Sequence, residues 1–545
     1  MSFGTPILLP DQFNAATYFI DRHLQEGRGE KIAIEAEEIS VSYRQLGESV
    51  NRFGNGLRQL DVRIEERIFL LLLDGPEFAI SFFGAIKIGA VPVPVNTLLK
   101  TSDYHYILNN SRARVAVVSE SLYPQLAGWE KLRYLQHIII VGAKLPVAPA
   151  VPQKSTLRFH DLIEQNSPQL DAEPTSKDDA AFWLYSSGST GFPKACVHLQ
   201  HDMVVCAERY ARGILGMTES DRCFSVAKLF FAYGLGNALY FPLAAGATSI
   251  LYPGPPKPQQ VFEIIERYRP TLFFSVPSNY AALLAHRKEH VGTAAPGGPG
   301  ALGAQNFDFD LSSVRYGVSA GEALPAALFY RFQQRFGVEI LDAIGSTEIL
   351  HMFIANRPGA VRAGSNGQII PGYEARIVDE NQQPTKPGDI GNLLVKSDST
   401  CSHYWNQHEK SKSTIEGHWI RTGDKYYQDA DGYFWYAGRA DDMLKCSGVW
   451  VSPVEIESVL IEHPAVQEAA VVGRDDLDQL PKPAAYVVLK IGTEATPGLA
   501  RELQEFVINR LPVFKRPRWV EFVGELPRTA TGKLQRYKLR ERKQE

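Results

Sequence analysis

The order of apolar and polar positions between residues 31 and 141 predicts strands that alternate with helices. Leu46, Val50, Phe53 and Leu57 recur at helical spacing and form one apolar face. The run RIFLLLLD predicts a buried strand, EFAISFFGAIKIGA a helix and AVPVPVN a second strand. Because strands separated by helices pair in parallel, we expect a parallel sheet with helices on its faces.

The C-terminal part of the chain has a different pattern. EAAVVG, AAYVVLK and WVEFVG predict short strands. Between them we expect one helix that opens at Ser452, with Glu455 completing a capping box, and a second helix that carries Leu503, Phe506 and Val507. These elements predict a small α+β domain.

The polar stretch AGRADDMLKCSG at 437–448 is the best candidate for a domain boundary. We therefore predict an α/β protein with a large, multi-layered N-terminal domain at 1–438 and a small α+β C-terminal domain at 439–545, joined by a hinge. A Pro/Ala/Lys-rich connector lies at about 143–156, and the Gly/Ala/Pro-rich stretch at 292–303 predicts a mobile surface loop without chemistry.

Composition narrows the class of protein. The 545 residues are 44% hydrophobic and 22% charged, as in ordinary globular proteins, and the net charge of −4 argues against nucleic acid or an anionic membrane as the main partner. Five cysteines without a CxxC pair indicate reduced thiols and no zinc site. The N-terminus lacks a signal-peptide pattern, and the longest apolar run is too short to span a bilayer, so we expect a cytoplasmic protein.

The stretch YSSGSTGFPK at 185–194 predicts a phosphate-binding loop, because small residues let backbone N–H groups approach an anion and Lys194 adds a charge. A Walker A loop requires lysine directly after the last glycine, but Phe192 and Pro193 separate Gly191 from Lys194. This spacing disfavours a P-loop phosphotransferase. A strand-to-helix turn without a ligand remains the alternative.

Three further segments carry candidate chemistry. In IGSTE, the hydroxyl of Thr347 can bond an α-phosphate while Glu348 holds Mg²⁺, although an isolated acid is often only solvated. In RTGD, Asp424 can accept both hydroxyls of a ribose, and Arg439 follows in the same region. Lys533 ends the segment TATGK near the C-terminus.

Together and in this order, these segments resemble the adenylate-forming superfamily of acyl-CoA synthetases, luciferases and peptide-synthetase adenylation domains. YSSGSTGFPK is similar to the family's phosphate loop, SAGEALP and DAIGSTE to its adenine and magnesium segments, RTGD to its ribose segment, GRADDMLKCSG to its hinge and PRTATGK to its catalytic-lysine segment. KLFFAYGLGNAL, GSTEILHMFIANRP and YAGRADDMLKCSGVWVSPVEIE resemble the benzoate–CoA ligase group.

The resemblance implies two half-reactions, which consume ATP with Mg²⁺ and then CoA. It implies catalytic roles for Lys533, Thr347, Glu348 and Lys194, a magnesium ligand in Glu348 and a hinge at Asp441. The implied nucleotide and CoA contacts are Ser186, Ser187, Gly188, Ser189, Thr190, Gly191, Ala320, Gly321, Glu322, Asp342, Ile344, Gly345, Ser346, Thr347, Asp424, Arg439, Lys445, Ser447, Gly448 and Val449.

The acid pocket implied by the resemblance is flat and apolar. Its matched positions are Phe231, Ala232, Tyr233, Gly321, Gly345, His351 and Met352. Two positions depart from common family patterns: Ile344 stands where an aromatic residue usually covers adenine, and Phe231 where many acyl-CoA synthetases have histidine. His351 is equally compatible with a structural histidine bonded to backbone, and Met352 with ordinary core.

The resulting prediction is an AMP-forming benzoate–CoA ligase whose partners are an aromatic acid, ATP and CoA, as a monomer or homodimer. The alternatives are a ligase for a hydroxy-, amino-, methyl- or halobenzoate, for an arylpropenoic or medium-chain acid, or one that loads a carrier protein. A nucleotide-binding homologue without catalysis is the alternative from another class, and the presence of Lys533, Glu348 and Asp424 argues against it.

Overall fold

The computed structural model describes residues 7–145, 154–186, 193–287, 309–440, 442–446, 449–476, 480–528 and 534–541. The stretch at 292–303, most of the phosphate loop, Asp441 and Lys533 lie outside the described residues.

The alternating pattern at 31–141 forms the predicted parallel sheet. Its strands, in spatial order, are Val91–Pro94, Arg67–Leu71, Val115–Ser119, His137–Val141 and Ser155–Arg158. The predicted first helix is Tyr43–Gln59, which opens with a capping box between Ser42 and Gln45 and buries Leu46, Val50, Phe53 and Leu57. It packs on the helix Pro76–Lys87, which is apolar on nearly all sides and correspondingly buried all round.

A nine-stranded sheet forms the second layer of the large domain. Its six central strands are parallel, and the two edges are antiparallel. In spatial order its strands are Gln368–Ile369, Met352–Ala355, Ile340–Gly345, Tyr316–Ser319, Leu272–Ser275, Arg222–Ser225, Thr248–Leu251, Ile32–Ala36 and Ile39–Ser42.

Two antiparallel sheets complete the large domain. The smaller one contains His403–Tyr404, Lys194–Leu199 and Ala180–Ser186, and the larger one contains Glu374–Val378, Gly391–Lys396, Trp419–Gln428, Ile415–Glu416 and Phe434–Arg439. The strand Ala180–Ser186 leads into the phosphate-loop segment, and Lys194–Leu199 follows that segment.

Helices cover the sheets on both faces. Besides those named above, the α-helices of the described large domain are Arg22–Gln25, Thr101–Ser111, Phe159–Glu164, Asp202–Cys206, Ala232–Leu235, Phe241–Ala245, Pro258–Tyr268, Pro277–Ala285, Ala326–Phe336 and His408–Thr414. Thr17–Asp21, Ala207–Arg212 and Gly236–Tyr240 are π-helical, while Glu120–Leu126 and Trp129–Lys131 are 3₁₀.

The C-terminal elements follow the prediction. The strands are Val466–Asp475, Pro481–Leu489 and Trp519–Phe522, with a hairpin of Leu444–Cys446 and Val449–Val451 before them. The helices are Pro453–Glu462, Pro497–Ile508 and Arg536–Arg540, and Val513–Lys515 is 3₁₀.

The capping box predicted at Ser452 is only half formed. The Ser452 hydroxyl accepts a hydrogen bond from the Glu455 backbone N–H at 3.2 Å. The Glu455 carboxylate does not return to the Ser452 backbone; instead it accepts from Lys515 Nζ at 2.6 Å. A nearby cation therefore outcompetes the neutral N–H for this carboxylate, because charge-assisted bonds are stronger.

Within the part of the chain that the structure describes, no helix is long and apolar enough to cross a membrane. Cys196, Cys206, Cys223 and Cys401 are free and buried.

Candidate active site

The predicted site segments follow the carboxyl ends of the central strands in the nine-stranded sheet. Phe231 comes after Arg222–Ser225, Gly321 after Tyr316–Ser319, and Thr347 after Ile340–Gly345. In open α/β sheets, ligands bind outside these carboxyl ends. The topology thus brings together segments that are far apart in sequence.

The residues at the two ends of the phosphate-loop segment lie next to each other. Ser186 and Lys194 are register partners in the antiparallel pair Ala180–Ser186 and Lys194–Leu199. The segment is therefore followed by a strand, and the alternative of a strand-to-helix turn is wrong. Ser187, Gly188, Ser189, Thr190 and Gly191 lie outside the described residues.

Glu348 and Lys194 are brought together by a residue that the motifs did not indicate. The hydroxyl of Tyr404 donates to Glu348 Oε1 at 2.8 Å. Lys194 Nζ lies 4.6 Å from the centroid of the same ring, a cation–π distance. Tyr404 is buried, and this burial together with Glu348 raises the pKa of its phenol far above the ordinary value. The tyrosine therefore stays protonated and donates permanently to the carboxylate.

The donor set suits one magnesium ion held mainly by phosphate oxygens. Glu348 is a partly exposed carboxylate, and the described residues contain no cluster of three or more His, Cys, Asp or Glu that could form a metal cage. Mg²⁺ in nucleotide sites is commonly bound by one or two carboxylates with phosphate oxygens and water. The predicted role of Glu348 fits this arrangement.

Hydrogen bonds hold the aromatic ring of Tyr233 in a fixed orientation. Its hydroxyl donates to the carbonyl oxygens of Ser275 at 3.0 Å and Val318 at 3.2 Å. Both carbonyls lie at carboxyl ends of neighbouring strands. The phenol is thereby satisfied by the protein, so the ring presents an apolar face in a defined orientation.

His351 packs against Tyr233 as a neutral ring. Its Nε2 lies 3.3 Å from the Tyr233 carbonyl oxygen, and its ring centroid is 4.4 Å from that of Phe241 and 5.8 Å from that of Tyr233. Burial lowers the pKa of His351 to about 3. A neutral imidazole cannot pair with a carboxylate as a cation, so His351 packs here as an uncharged, buried ring.

Gly345 and Met352 face each other across an antiparallel strand pair. A Cβ on Gly345 would lie 2.5 Å from the carbonyl oxygen of His351, so glycine is required for this close backbone contact. By contrast, Gly321 has a φ of +89°, and a Cβ there would lie 3.9 Å from Val276 Cγ1, an ordinary contact distance. Glycine is therefore required at Gly345 by a close backbone contact, whereas at Gly321 it is favoured by the positive φ. Met352 is buried at 2% exposure.

Hydrogen-bonded polar side chains connect the strand of Asp342, in the predicted adenine segment, to the strand of Asp424, the predicted ribose acid. Asn366 donates to Asp342 Oδ2 at 2.8 Å and accepts from the Tyr426 hydroxyl at 2.7 Å. Tyr426 lies in the same strand as Asp424. Burial raises the pKa of Asp342 to about 8, so this carboxyl is neutral near pH 7. Ile344 lies at the end of the same strand as Asp342 and is partly buried.

Asp424 and Arg439, two predicted nucleotide contacts, lie next to each other. Arg439 Nη1 donates to Asp424 Oδ1 at 3.0 Å and to the Thr422 carbonyl oxygen at 3.2 Å. The carboxylate of Asp424 is largely buried in the strand Trp419–Gln428. Arg439 therefore fixes the acid that the sequence predicts for the ribose.

The C-terminal domain contacts the segment SAGEALP of the large domain through Arg528. Arg528 Nη1 donates to Glu322 Oε1 at 2.8 Å, and its Nη2 donates to Glu468 Oε2 at 2.9 Å. Lys533, Asp441, Ser447 and Gly448 lie outside the described residues. Lys445 and Val449 belong to the hairpin strands.

Comparison with known proteins gives concordant matches along the chain. The profile of the AMP-binding enzyme family matches residues 21–405, and that of the AMP-binding enzyme C-terminal domain matches 455–533. A benzoate–CoA ligase of Thauera aromatica is 47% identical over 98% of this chain and 97% of its own length.

Solved structures agree in fold over the same length. A benzoate CoA ligase from Burkholderia xenovorans LB400 superposes with a TM-score of 0.86 and 43% identity, covering 97% of this chain and 100% of its own. The anthranilate CoA ligase AuaEII in complex with anthranoyl-AMP has a TM-score of 0.89 and 43% identity, covering 98% of this chain and 97% of its own.

Proposed function

Because the AMP-binding enzyme profiles match residues 21–405 and 455–533, the chain belongs to the family of AMP-binding enzymes, and we propose that it is a benzoate–CoA ligase. Benzoate attacks the α-phosphorus of ATP, releases pyrophosphate and forms benzoyl-AMP. The CoA thiol then attacks the benzoyl carbonyl carbon, which forms the thioester and releases AMP. The observation that carries the proposal is the uncharged aromatic pair of Tyr233 and His351, whose histidine lies in the same segment of the chain as Thr347 and Glu348.

The adenylation half-reaction must bring an anion to a polyanion. We assign Lys194, Lys533 and the Thr347 hydroxyl to the phosphates, because preorganised donors at the reacting phosphate stabilise charge that develops there. Glu348, held by Tyr404 at 2.8 Å, is the proposed magnesium ligand. Mg²⁺ bound there would offset phosphate charge.

The acid pocket favours a flat ring over a chain. Burying a phenyl ring removes on the order of 100 Å² of apolar surface from water, which contributes roughly 2–3 kcal/mol at about 25 cal/mol per Å². An aliphatic acid of similar area would gain a similar transfer energy but lose rotor entropy on binding. The hydroxyl-anchored ring of Tyr233 and the buried Met352 support a rigid wall that suits the planar substrate.

The thioester half-reaction is assigned to the C-terminal domain. We place the domain boundary at 438/439 and the hinge at Asp441, with rotation replacing Lys533 by the segment around Lys445. In that orientation Ser447, Gly448 and Val449 would border the thiol path. One mobile domain can thereby serve two transition states in turn.

The direct test is acid-dependent exchange of radiolabelled pyrophosphate into ATP, run with benzoate, 2-aminobenzoate, 4-hydroxybenzoate and hexanoate. We expect benzoate to support the fastest exchange and hexanoate to be slower by at least about tenfold. Glu348→Gln should reduce exchange strongly, whereas Glu374→Gln, which removes a partly exposed carboxylate paired with Lys396, should not. Exchange with hexanoate alone would refute the aromatic-acid assignment, and no exchange with any acid would refute the enzyme class.

A further inference from the structure

The turn that carries Thr347 and Glu348 is held in an unfavourable backbone conformation. Leu350, which is fully buried, has a φ of +72°, a value that residues with a Cβ rarely adopt. Such conformations persist only where the surroundings over-determine them.

Successive carbonyl oxygens of the turn each accept a hydrogen bond from outside it. The acceptors are the carbonyls of Thr347, Glu348 and Ile349. Their donors are His198 Nε2 at 2.8 Å, the Cys401 backbone N–H at 2.7 Å and the Ser399 hydroxyl at 2.9 Å, respectively. Among these donors, only His198 is an ionisable side chain, and it acts on the residue proposed to contact the α-phosphate.

His198 is itself fixed on every side that the structure describes. Its Nδ1 lies 2.8 Å from Asp202 Oδ2, and both side chains are fully buried. Asp202 Oδ2 also accepts the Leu199 backbone N–H at 3.1 Å. The imidazole stacks on Phe182 with ring centroids 5.1 Å apart and planes 17° from parallel. Both ring nitrogens therefore have an oxygen atom within hydrogen-bond distance, and Nε2 donates to the Thr347 carbonyl.

One strand connects this ring to the phosphate loop. Lys194 and His198 both lie on Lys194–Leu199, four positions apart, and therefore on the same face of the strand. Lys194 reaches the ring of Tyr404, which binds Glu348, and His198 reaches Thr347. A residue that only filled space here would need no donor aimed at the turn.

We propose that His198, oriented by Asp202, is a positioning residue for adenylation. It holds the Thr347 carbonyl so that the Thr347 hydroxyl and the Glu348 carboxylate face the α-phosphate and its magnesium ion together. This inference rests on the proposed function, because it assigns His198 to the same site.

The test compares two substitutions of His198. His198→Gln keeps a donor near the position of Nε2, whereas His198→Phe keeps the stacked ring and removes the donor. His23→Phe is the matched control, since His23 is also fully buried and its Nε2 lies 2.7 Å from a backbone carbonyl oxygen, that of Leu243. For each variant, kcat and the KM for ATP are measured by benzoate-dependent pyrophosphate exchange, with the melting temperature and thioester formation from supplied benzoyl-AMP.

We expect His198→Phe to lower the kcat of exchange by about 10- to 100-fold, the usual cost of losing an outer partner of a metal-binding residue. His198→Gln should stay within a few-fold of the wild type. His23→Phe should lose melting temperature without losing exchange, and thioester formation should fall less than exchange in His198→Phe. If His198→Phe does not fold, Asp202→Ala provides the test, because it removes the oxygen at Nδ1 that orients the ring toward the Thr347 carbonyl, so exchange should again fall.

Equal losses in His198→Phe and His198→Gln would overturn the inference, because they would show that the donor is not what matters. Exchange that falls in parallel with melting temperature in His23→Phe would also overturn it. Undiminished exchange in a folded Asp202→Ala variant would do the same. A wild-type protein without acid-dependent exchange would instead refute the proposed function, and the two failures are therefore distinguishable.

Discussion

Replacing Tyr404 by phenylalanine removes one hydroxyl and keeps the ring. The ring is buried at 2% exposure, and Lys194 lies over it, so packing and the cation–π contact should survive. Only the 2.8 Å hydrogen bond to Glu348 Oε1 is lost. The variant therefore isolates the contact that orients the proposed magnesium ligand.

The size of the effect follows from the type of bond. A hydrogen bond to a charged group contributes about 1.5–3 kcal/mol, and about 1.4 kcal/mol corresponds to a factor of ten in rate. If the bond acts fully in the transition state, Tyr404→Phe should slow adenylation by about 10- to 100-fold. Partial rescue by excess Mg²⁺ is expected, because a less ordered carboxylate binds the ion more weakly.

The assay is benzoate-dependent pyrophosphate exchange across a magnesium titration. Tyr43→Phe is the control, since Tyr43 is fully buried and its hydroxyl donates to the Ala247 carbonyl oxygen at 2.7 Å. Both variants should lose some unfolding free energy, but only Tyr404→Phe should lose exchange. Exchange within twofold of the wild type at limiting magnesium would refute the reasoning.

Four further outcomes are expected. Lys533→Ala should lower benzoyl-AMP formation by orders of magnitude but spare thioester formation from supplied benzoyl-AMP; equal loss in single-turnover assays of both halves would contradict its role. Asp441→Pro should keep adenylation and lose most thioester formation, because proline fixes φ near −65°; full turnover at the wild-type rate would exclude the hinge. Ala232→Leu should abolish benzoate use while ATP still binds, as measured by calorimetry; retained benzoate turnover would place the ring elsewhere. Burial raises the pKa of Asp342 from 3.8 to about 8, so the native protein binds this proton more tightly than the unfolded chain does. The contribution of this proton to the free energy of unfolding is therefore fully present below about pH 4 and is lost as the pH rises to about 8. Asp342→Asn should flatten the resulting decline in melting temperature, and an unchanged pH profile would disprove this reasoning.

Several local elements of this protein follow from periodicity alone. The spacing of Leu46, Val50, Phe53 and Leu57 predicts the helix Tyr43–Gln59 because one face must leave water, and all four side chains are buried. The buried strand Arg67–Leu71 and the C-terminal strands follow in the same way. Thr347 and Glu348 were also predictable, because they are adjacent in one short segment and their side chains suit a phosphate and a magnesium ion.

Contacts between distant segments were decided only by the tertiary structure. Tyr404 binds Glu348 across 56 positions, His198 binds Thr347 across 149, and Arg528 binds Glu322 across 206. Periodicity reports which face of an element is buried, but not which distant element covers that face. The half-formed cap at Glu455 has the same cause, since Lys515, 60 positions away, takes the carboxylate that the local pattern assigns to the backbone. The sequence therefore determined the elements and the adjacent reacting groups, whereas the partners that orient those groups depend on how the sheets stack, because long-range pairing is set by the free energy of the whole packed domain.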